Sequence, residues 1–256
     1  MHETLEIDTD RLCKLKQFAF RLMDDEDGRM LFDEYEPHIA SITAQEAIQV
    51  FEYLLSQHAP VEKAKKTIGK LFNLFYKPIN ALPWLKPSEN HFLHYLMLEN
   101  REAEGIMDNM KSIIKELQDN NTESVLHSGR LRKEIERLKV YELHYAKEEK
   151  ILYPYLDCAI DQHRFLLLLQ LFNNDFRISL SHIEDAVNSN NLNIEEVIAA
   201  SGSLFFVMFP LMFFENAIIY PIAFNKIEEK DWAEMLRQSL EMGWCFGIKP
   251  KISAAL

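Results

Sequence analysis

The sequence predicts an all-α fold: an antiparallel up-down four-helix bundle preceded by a small N-terminal helical subdomain. Glycine and proline number only 7 and 9 among 256 residues, about half their usual share. Sandwiches, barrels and dinucleotide-binding folds need more turn glycines than this. Apolar residues recur at steps of three and four along most of the chain, which is the spacing of an amphipathic helix.

The first part of the chain, residues 1–80, is predicted to form the subdomain of short helices. Thr43 and Glu46 have the spacing of a capping box and mark one helix start. A proline inside a helix removes a hydrogen bond, so the last of these helices is expected to end before Pro78. The predicted segments are 10–24, 43–56 and 61–76. A cluster of three prolines then separates the subdomain from a bundle domain assigned to 81–256.

Four longer segments follow, each about 30 residues long, and the short links between them favour an antiparallel bundle. They cover residues 88–117, 122–155 (or a start after Gly129), 161–187 and 193–221. Ser88 and Asn193 can cap the first and the fourth of these helices. Pro210 should kink the fourth, and a short terminal helix is predicted over 231–241.

Two of the long helices end in similar sequences. Glu148-Glu-Lys-Ile-Leu-Tyr-Pro154 closes the second, and Glu215-Asn-Ala-Ile-Ile-Tyr-Pro221 closes the fourth, 67 residues later. In both, a glutamate lies six residues before a proline. The repeat indicates that the bundle consists of two similar helical hairpins.

Composition also limits the partners that the chain can have. The formal net charge is −12, which argues against a nucleic-acid partner because phosphate binding needs a basic face. The three cysteines are far apart and form no CxxC pair, so neither a disulfide framework nor a cysteine-based zinc site is expected. The N-terminus is polar, and the longest apolar stretch, Leu204–Phe214, contains a proline and is too short to span a bilayer. We therefore expect a cytoplasmic protein without a membrane partner.

One face of the second long helix combines apolar residues with a histidine and a glutamate. Its members follow one another at steps of three and four: Leu131, Ile135, Leu138, Tyr141, His144, Glu148, Ile151 or Leu152, and Tyr155. Burying an imidazole and a carboxylate without partners is costly, and a metal ion bound by both would remove that cost. A hydrogen-bonded and partly exposed pair of His144 and Glu148 is the alternative.

Ligand-type residues recur at the same depth on the other three helices. Counting from the helix ends gives Glu99 and Asn100 on the first, Asn173, Asn174 and Asp175 on the third, and Glu215 on the fourth. Helical projection puts Glu99 and Glu102 on the inner face of the first helix. His91 lies at the edge of that face and His94 outside it; both lie in the first turns and could reach inward, and a solvent-facing helix start is the alternative. The shared depth favours a metal site.

Several motifs resemble those of the hemerythrin-like family of HHE cation-binding proteins, of the type associated with a DUF438 region. The similar segments are His91-Phe-Leu-His94 with Leu98-Glu-Asn-Arg101, His144-Tyr-Ala-Lys-Glu148 through Pro154, Phe214–Pro221, the tail Asp231–Gly243, and residues 14–77, which are similar to the DUF438 region. The similarity covers nearly the whole chain, and the tail and the H-Y-x-x-K-E element are its most specific parts.

The resemblance implies a four-helix bundle that holds non-haem iron, often as a pair, through histidine and carboxylate ligands. On this basis the expected metal ligands are His144, Glu148, Glu99, Glu215, His91, His94 and Asp175. The chain lacks some of the family's histidines, since Leu211, Asn100 and Asn173–Asp175 stand in their places. A carboxylate-rich two-metal site, a single iron and a degenerate site therefore all stay open, and manganese also suits oxygen ligands.

Three functions follow from these observations. The first is a protein that binds iron and through it binds or senses O₂ or NO, or that handles iron itself. The second is a di-iron enzyme acting on peroxide, NO or Fe²⁺; no catalytic residue is assigned, and binding is favoured over catalysis. The third is a metal-free interaction module that binds another protein or its own copy through Phe205–Phe214 or, as a variant, holds haem non-covalently through His91 or His94.

Overall fold

The computed structural model describes residues 7–119, 124–161, 163–189 and 193–250. Within these ranges the regular structure is helical and contains no strand, so the all-α prediction is confirmed. The α-helices are α1 (Thr9–Met23), α2 (Gly28–Ile39), α3 (Ala44–Ser56), α4 (Val61–Asn80), α5 (Phe92–Asp119), α6 (Ser124–Lys139), α7 (Glu142–Lys147), α8 (Tyr153–Ala159), α9 (His163–Asn188), α10 (Ile194–Phe214), α11 (Tyr220–Lys226) and α12 (Glu229–Met242). Two π-helical segments, Glu148–Leu152 and Glu215–Ile219, and a 3₁₀ turn, Cys245–Gly247, complete the elements of these ranges.

The described residues divide into two compact units. The first comprises those of Met1–Lys86, Tyr155–Leu169 and Met212–Ile227; the second comprises those of Pro87–Pro154, Gln170–Leu211 and Glu228–Leu256. The domain assignment of 1–80 and 81–256 and the four-helix bundle stay predictions.

The first unit has an aromatic core and a helix start that the sequence predicted. The ring centroid of Phe51 on α3 lies 5.5–6.0 Å from those of four other buried phenylalanines: Phe72, Phe75, Phe165 and Phe214. Each such pair contributes about 0.5–1.5 kcal/mol beyond the area that it buries. The capping box is confirmed, because the Thr43 hydroxyl accepts from the Glu46 N–H and the Glu46 carboxylate accepts from the Thr43 N–H.

Proline did not end the helices where the sequence predicted. α4 runs through Pro78 to Asn80, so the expected end before Pro78 was wrong. The next residue, Ile79, is buried, and its burial favours one more turn although the proline removes a hydrogen bond. Pro154 lies inside α8 and Pro221 lies inside α11, so the helical structure likewise continues past both prolines.

The two π-helical segments explain how helices continue past Pro154 and Pro221. The N–H of Tyr153 donates to the carbonyl of Glu148, and the N–H of Tyr220 donates to that of Glu215, so that both hydrogen bonds span five residues. The residue after each tyrosine is a proline without an N–H, and the wider turn comes where the α-helical ladder loses that donor. The repeated sequence therefore produces a repeated local structure.

The second long helix is interrupted, although its predicted buried face is present. Val140 and Tyr141 form a turn between α6 and α7, with the Tyr141 N–H donating to the carbonyl of Leu138, so the prediction of one unbroken helix was wrong. The residues of the predicted face are buried except Tyr155, which is half-buried. On α5 the projection was wrong for Glu102, which is exposed, while the adjacent Ala103 is buried.

The helical stretch Ile194–Lys226 is 33 residues long and includes a window of mean hydropathy 2.1. It is long and apolar enough to cross a membrane, so the expectation that no segment reaches this length was wrong. A single helix of this kind is weak evidence for a membrane span, because the core helix of a soluble protein has the same length and composition. Phe206 within it is 73% exposed, whereas Leu204 and Met208 are buried.

Candidate metal centre

Three of the predicted ligands come together in the structure. His144, Glu148 and Glu215 are fully buried, and one ligand atom from each lies within 4.8 Å of the others. The Nε2 atom of His144 is 3.8 Å from Oε1 of Glu148. Within the described residues, the histidine, cysteine and carboxylate side chains form no second group of three with this spacing. These three side chains could therefore hold one metal ion.

The two glutamates of this group occupy matching positions in the backbone. Each is the first residue of a π-helical segment, Glu148 of the first and Glu215 of the second. Short π-helical turns inside α-helices occur frequently at functional sites. The buried phenol of Tyr153 donates a hydrogen bond to Oε2 of Glu148 at 2.9 Å, which fixes the direction of that carboxylate.

Glu99 holds His144 in place but does not belong to the three-residue group. Its carboxylate is fully buried and lies 2.9 Å from Nδ1 of His144, 2.9 Å from Nζ of Lys147 and 2.7 Å from the backbone nitrogen of Cys245. Because an ionised carboxylate only accepts hydrogen bonds, Nδ1 of His144 carries the hydrogen. In the neutral ring Nε2 then keeps its lone pair, which is the form that binds a metal.

The charges around Glu99 decide its protonation. Burial alone raises the pKa of Glu99, but the hydrogen bonds from His144 and Lys147 and the positive charge of Lys147 outweigh it and leave the pKa below its usual value. Lys147 is itself fully buried, donates to the carbonyl of Gly243 at 3.2 Å and lies 4.7 Å from the centre of the Trp244 ring.

Aromatic rings enclose the imidazole of His144. The ring of Tyr141 stacks on it with centroids 4.5 Å apart and planes 12° apart. The Tyr141 hydroxyl hydrogen-bonds to Oδ1 of the buried Asn100. Tyr145 packs edge-on against the imidazole at 5.4 Å. The ring of His144 is therefore held by stacking as well as by Glu99.

The other predicted ligands lie elsewhere among the described residues. The ring of His91 packs on Trp232 with centroids 4.5 Å apart, and its Nδ1 accepts from the Leu93 N–H at 3.1 Å. Burial, with a smaller contribution from the charge of His94, lowers the pKa of His91 to about 4. His94 and Asp175 are half-buried. None of these three joins the group formed by His144, Glu148 and Glu215.

Two contacts of the site were not predicted from the sequence, those of Lys147 and of the loop after α12. Gly243 has φ +87°, a conformation that glycine adopts readily. The following residues then reach the site, where the Cys245 N–H donates to Glu99, 146 residues earlier in the chain. The only local signal was a glycine after a predicted helix end. A residue of the loop, Phe246, has φ +58°, which is uncommon for a non-glycine residue.

A scan against protein-family models and searches among curated proteins and among solved structures found no match to this chain.

Proposed function

We propose that this protein is a hemerythrin-like metal-binding protein that holds iron, or manganese in its place, through His144, Glu148 and Glu215. The observation that supports this most strongly is the approach of three buried ligand atoms to within 4.8 Å of one another. Two carboxylates and one imidazole are hard and borderline ligands, which suit Fe²⁺ and Mn²⁺ better than Cu⁺.

A single ion is favoured over a pair. The group contributes one imidazole and two carboxylates, whereas the ferritin-like two-metal sites of helical bundles use four carboxylates and two histidines. Glu99 makes three hydrogen bonds, to His144, Lys147 and Cys245, so its role in the proposed site is to orient His144. Outer-sphere carboxylates of this kind fix the imidazole tautomer in many metal sites.

The proposed task of the metal is to bind or sense O₂ or NO, or to be stored or transferred as iron. A metal held by three protein side chains keeps coordination positions for a small ligand. The fully buried surroundings of His144, with the stacked ring of Tyr141, restrict such a ligand to a small molecule. These features support binding rather than turnover, and no residue is proposed as catalytic.

Elemental analysis with an absorption spectrum tests the proposal on protein purified from cells grown with added iron. We expect about one metal per chain in the wild type and about a tenth of that or less in His144→Ala, because the imidazole ligand is lost. His182→Ala is the matched control, since His182 is exposed. A wild type without metal after anaerobic addition of Fe²⁺ or Mn²⁺ would refute the proposal.

The same measurement separates the other functions. Two irons per chain with near-ultraviolet oxo-bridge bands would indicate a di-iron site and revive the enzyme hypothesis. A sharp Soret band would indicate haem. The interaction module has one supporting observation, the 73% exposed ring of Phe206 on α10, and an absence of any metal or haem would favour it.

A further inference from the structure

Asn173 on α9 is a buried amide that the proposed site has not used. Its side chain is fully buried, and its Nδ2 donates to Oε1 of Glu149 at 3.1 Å. Arg177 also donates to Glu149, at 3.1 and 3.2 Å, and to Glu142, at 2.8 and 3.0 Å. This network holds the amide nitrogen of Asn173 toward Glu149 and so fixes the orientation of the whole amide.

The oxygen of the same amide has a different environment. Oδ1 of Asn173 is buried, and among the described residues it has no hydrogen-bond partner. A buried acceptor without a partner is costly, such groups in native proteins are few, and a bound ion is one of the partners that can satisfy them. A carbonyl oxygen of this kind is also a ligand for hard and borderline cations.

The packing of α9 against α7 places Asn173 at the level of the proposed metal ligands. The ring of Phe176 lies 5.0 Å from that of Tyr145, and three residues earlier on α9 the amide of Asn173 contacts Glu149. α9 therefore runs antiparallel to the stretch that contains Glu148, and Asn173 lies opposite the part of that stretch that begins with Glu148. The sequence predicted this level for residues 173–175, and only Asn173 among them is fully buried.

We propose that Oδ1 of Asn173 is the ligand that α9 contributes to the metal site. This inference rests on the proposed function and adds a third oxygen to the ligands. The four protein ligands are then three oxygens and one imidazole nitrogen, and these ligands favour Mn²⁺ and Fe²⁺ over the soft ion Cu⁺. The family resemblance implied Asp175 as a metal ligand from this helix, but Asp175 is only half-buried.

The test is a calorimetric titration of the full-length, metal-free protein with Mn²⁺. Asn173→Leu keeps the size of the side chain and removes its oxygen, so we expect its affinity for Mn²⁺ to fall at least about tenfold. Asn173→Asp keeps an oxygen and should bind within about threefold of the wild type or more tightly. Asn174→Leu is the matched control, because Asn174 is its exposed neighbour, and it should bind like the wild type.

Melting temperatures of the metal-free proteins exclude a purely structural role. Asn173→Leu removes a buried acceptor without a partner and also the donor to Glu149, which Arg177 still contacts. It should therefore melt no more than a few degrees from the wild type. A clear loss of stability with unchanged Mn²⁺ affinity would overturn the inference. Asn173→Ala carries the same expectation for affinity and replaces the leucine variant if that one does not fold.

The outcomes distinguish this inference from the proposed function. If the wild type and Asn173→Leu bind Mn²⁺ equally well, the role of Asn173 is refuted while the metal site stands. If His144→Ala binds as tightly as the wild type, the site itself is misplaced. If the wild type binds no metal, both proposals fail.

Discussion

Two stretches of the chain, 144–154 and 211–221, share a backbone but differ at one ligand position. Each contains a fully buried glutamate that begins a π-helical segment, and each segment is followed by a tyrosine and a proline. Four residues before the glutamate, the first stretch has His144 and the second has Leu211. Both of these side chains are buried.

The comparison shows which part of a metal site the backbone supplies and which part the side chain supplies. The π-helical turn positions a carboxylate in either stretch, irrespective of the residue four positions earlier. Only the first stretch adds an imidazole, and there Glu99 and Tyr141 hold the ring. The asymmetry predicts one metal ion bound mainly by the first stretch and completed by the glutamate of the second.

The largest expected effect comes from removing either glutamate's charge. Glu148→Gln and Glu215→Gln should each weaken Mn²⁺ binding by at least about 100-fold, or about 2.7 kcal/mol, in a calorimetric titration. The metal-free variants should be at least as stable as the wild type, because two carboxylates within 4.8 Å repel each other. Wild-type affinity in Glu215→Gln alone would show that the second stretch does not contribute to the site.

A smaller loss is expected for Glu99→Gln, which acts through His144. The amide of glutamine can donate to Nδ1, so it no longer enforces the tautomer in which Nε2 binds metal. We expect an affinity loss of about 10–100-fold, the range typical for outer-sphere partners. Glu102→Gln on the same helix is the control, because Glu102 is exposed. Equal affinities for the two variants would contradict the role given to Glu99.

Much of this site was predictable because its residues are close in sequence. His144 and Glu148 are one helical turn apart, and their spacing alone places them on one face. Glu215 was found because its surroundings repeat those of Glu148. The capping box of Thr43 and Glu46 was predictable for the same reason, since its two hydrogen bonds join residues three apart.

Two kinds of feature could not be predicted: contacts between residues that are distant in sequence, and the burial of residues at the edge of a helix's apolar face. The Cys245 N–H meets Glu99 across 146 residues, and only the assembled fold brings them together. Glu102 lies at the margin of the apolar stripe of α5, where a helical projection does not separate inward from outward side chains. Its charge favours exposure, and Ala103 fills the buried position.

Leu211→His tests directly whether the second stretch can be made like the first. The substitution places an imidazole four residues before Glu215, and we expect Mn²⁺ affinity or bound iron to rise because the ion gains a ligand. The expected rise is up to about tenfold, which corresponds to about 1.4 kcal/mol. Elemental analysis and calorimetry measure the change. Phe213→His, on a half-buried position of the same helix, is the control and should have no effect. Unchanged stoichiometry and affinity in Leu211→His would show that this position does not face the site.

The smallest effect concerns His91, a buried imidazole that packs on an indole instead of lying between carboxylates. Its pKa is lowered to about 4, so the unfolded chain takes up a proton below the ordinary pKa of about 6.5, while the folded protein does not. The contribution of this residue to stability is therefore complete above pH 6.5 and is lost as the pH falls toward 4.

Denaturant titrations of the metal-free protein at pH 7 and pH 4.5 measure this loss. We expect His91 to account for at least about 1 kcal/mol of it, since one pKa unit corresponds to about 1.4 kcal/mol. His91→Phe should flatten the pH dependence by that amount, and His182→Phe, the control at an exposed position, should leave it unchanged. An unchanged pH dependence in His91→Phe would mean that the imidazole is protonated in the folded state. A flattened one would show that burial against Trp232 keeps His91 neutral, whereas the carboxylate of Glu99 orients the ring of His144.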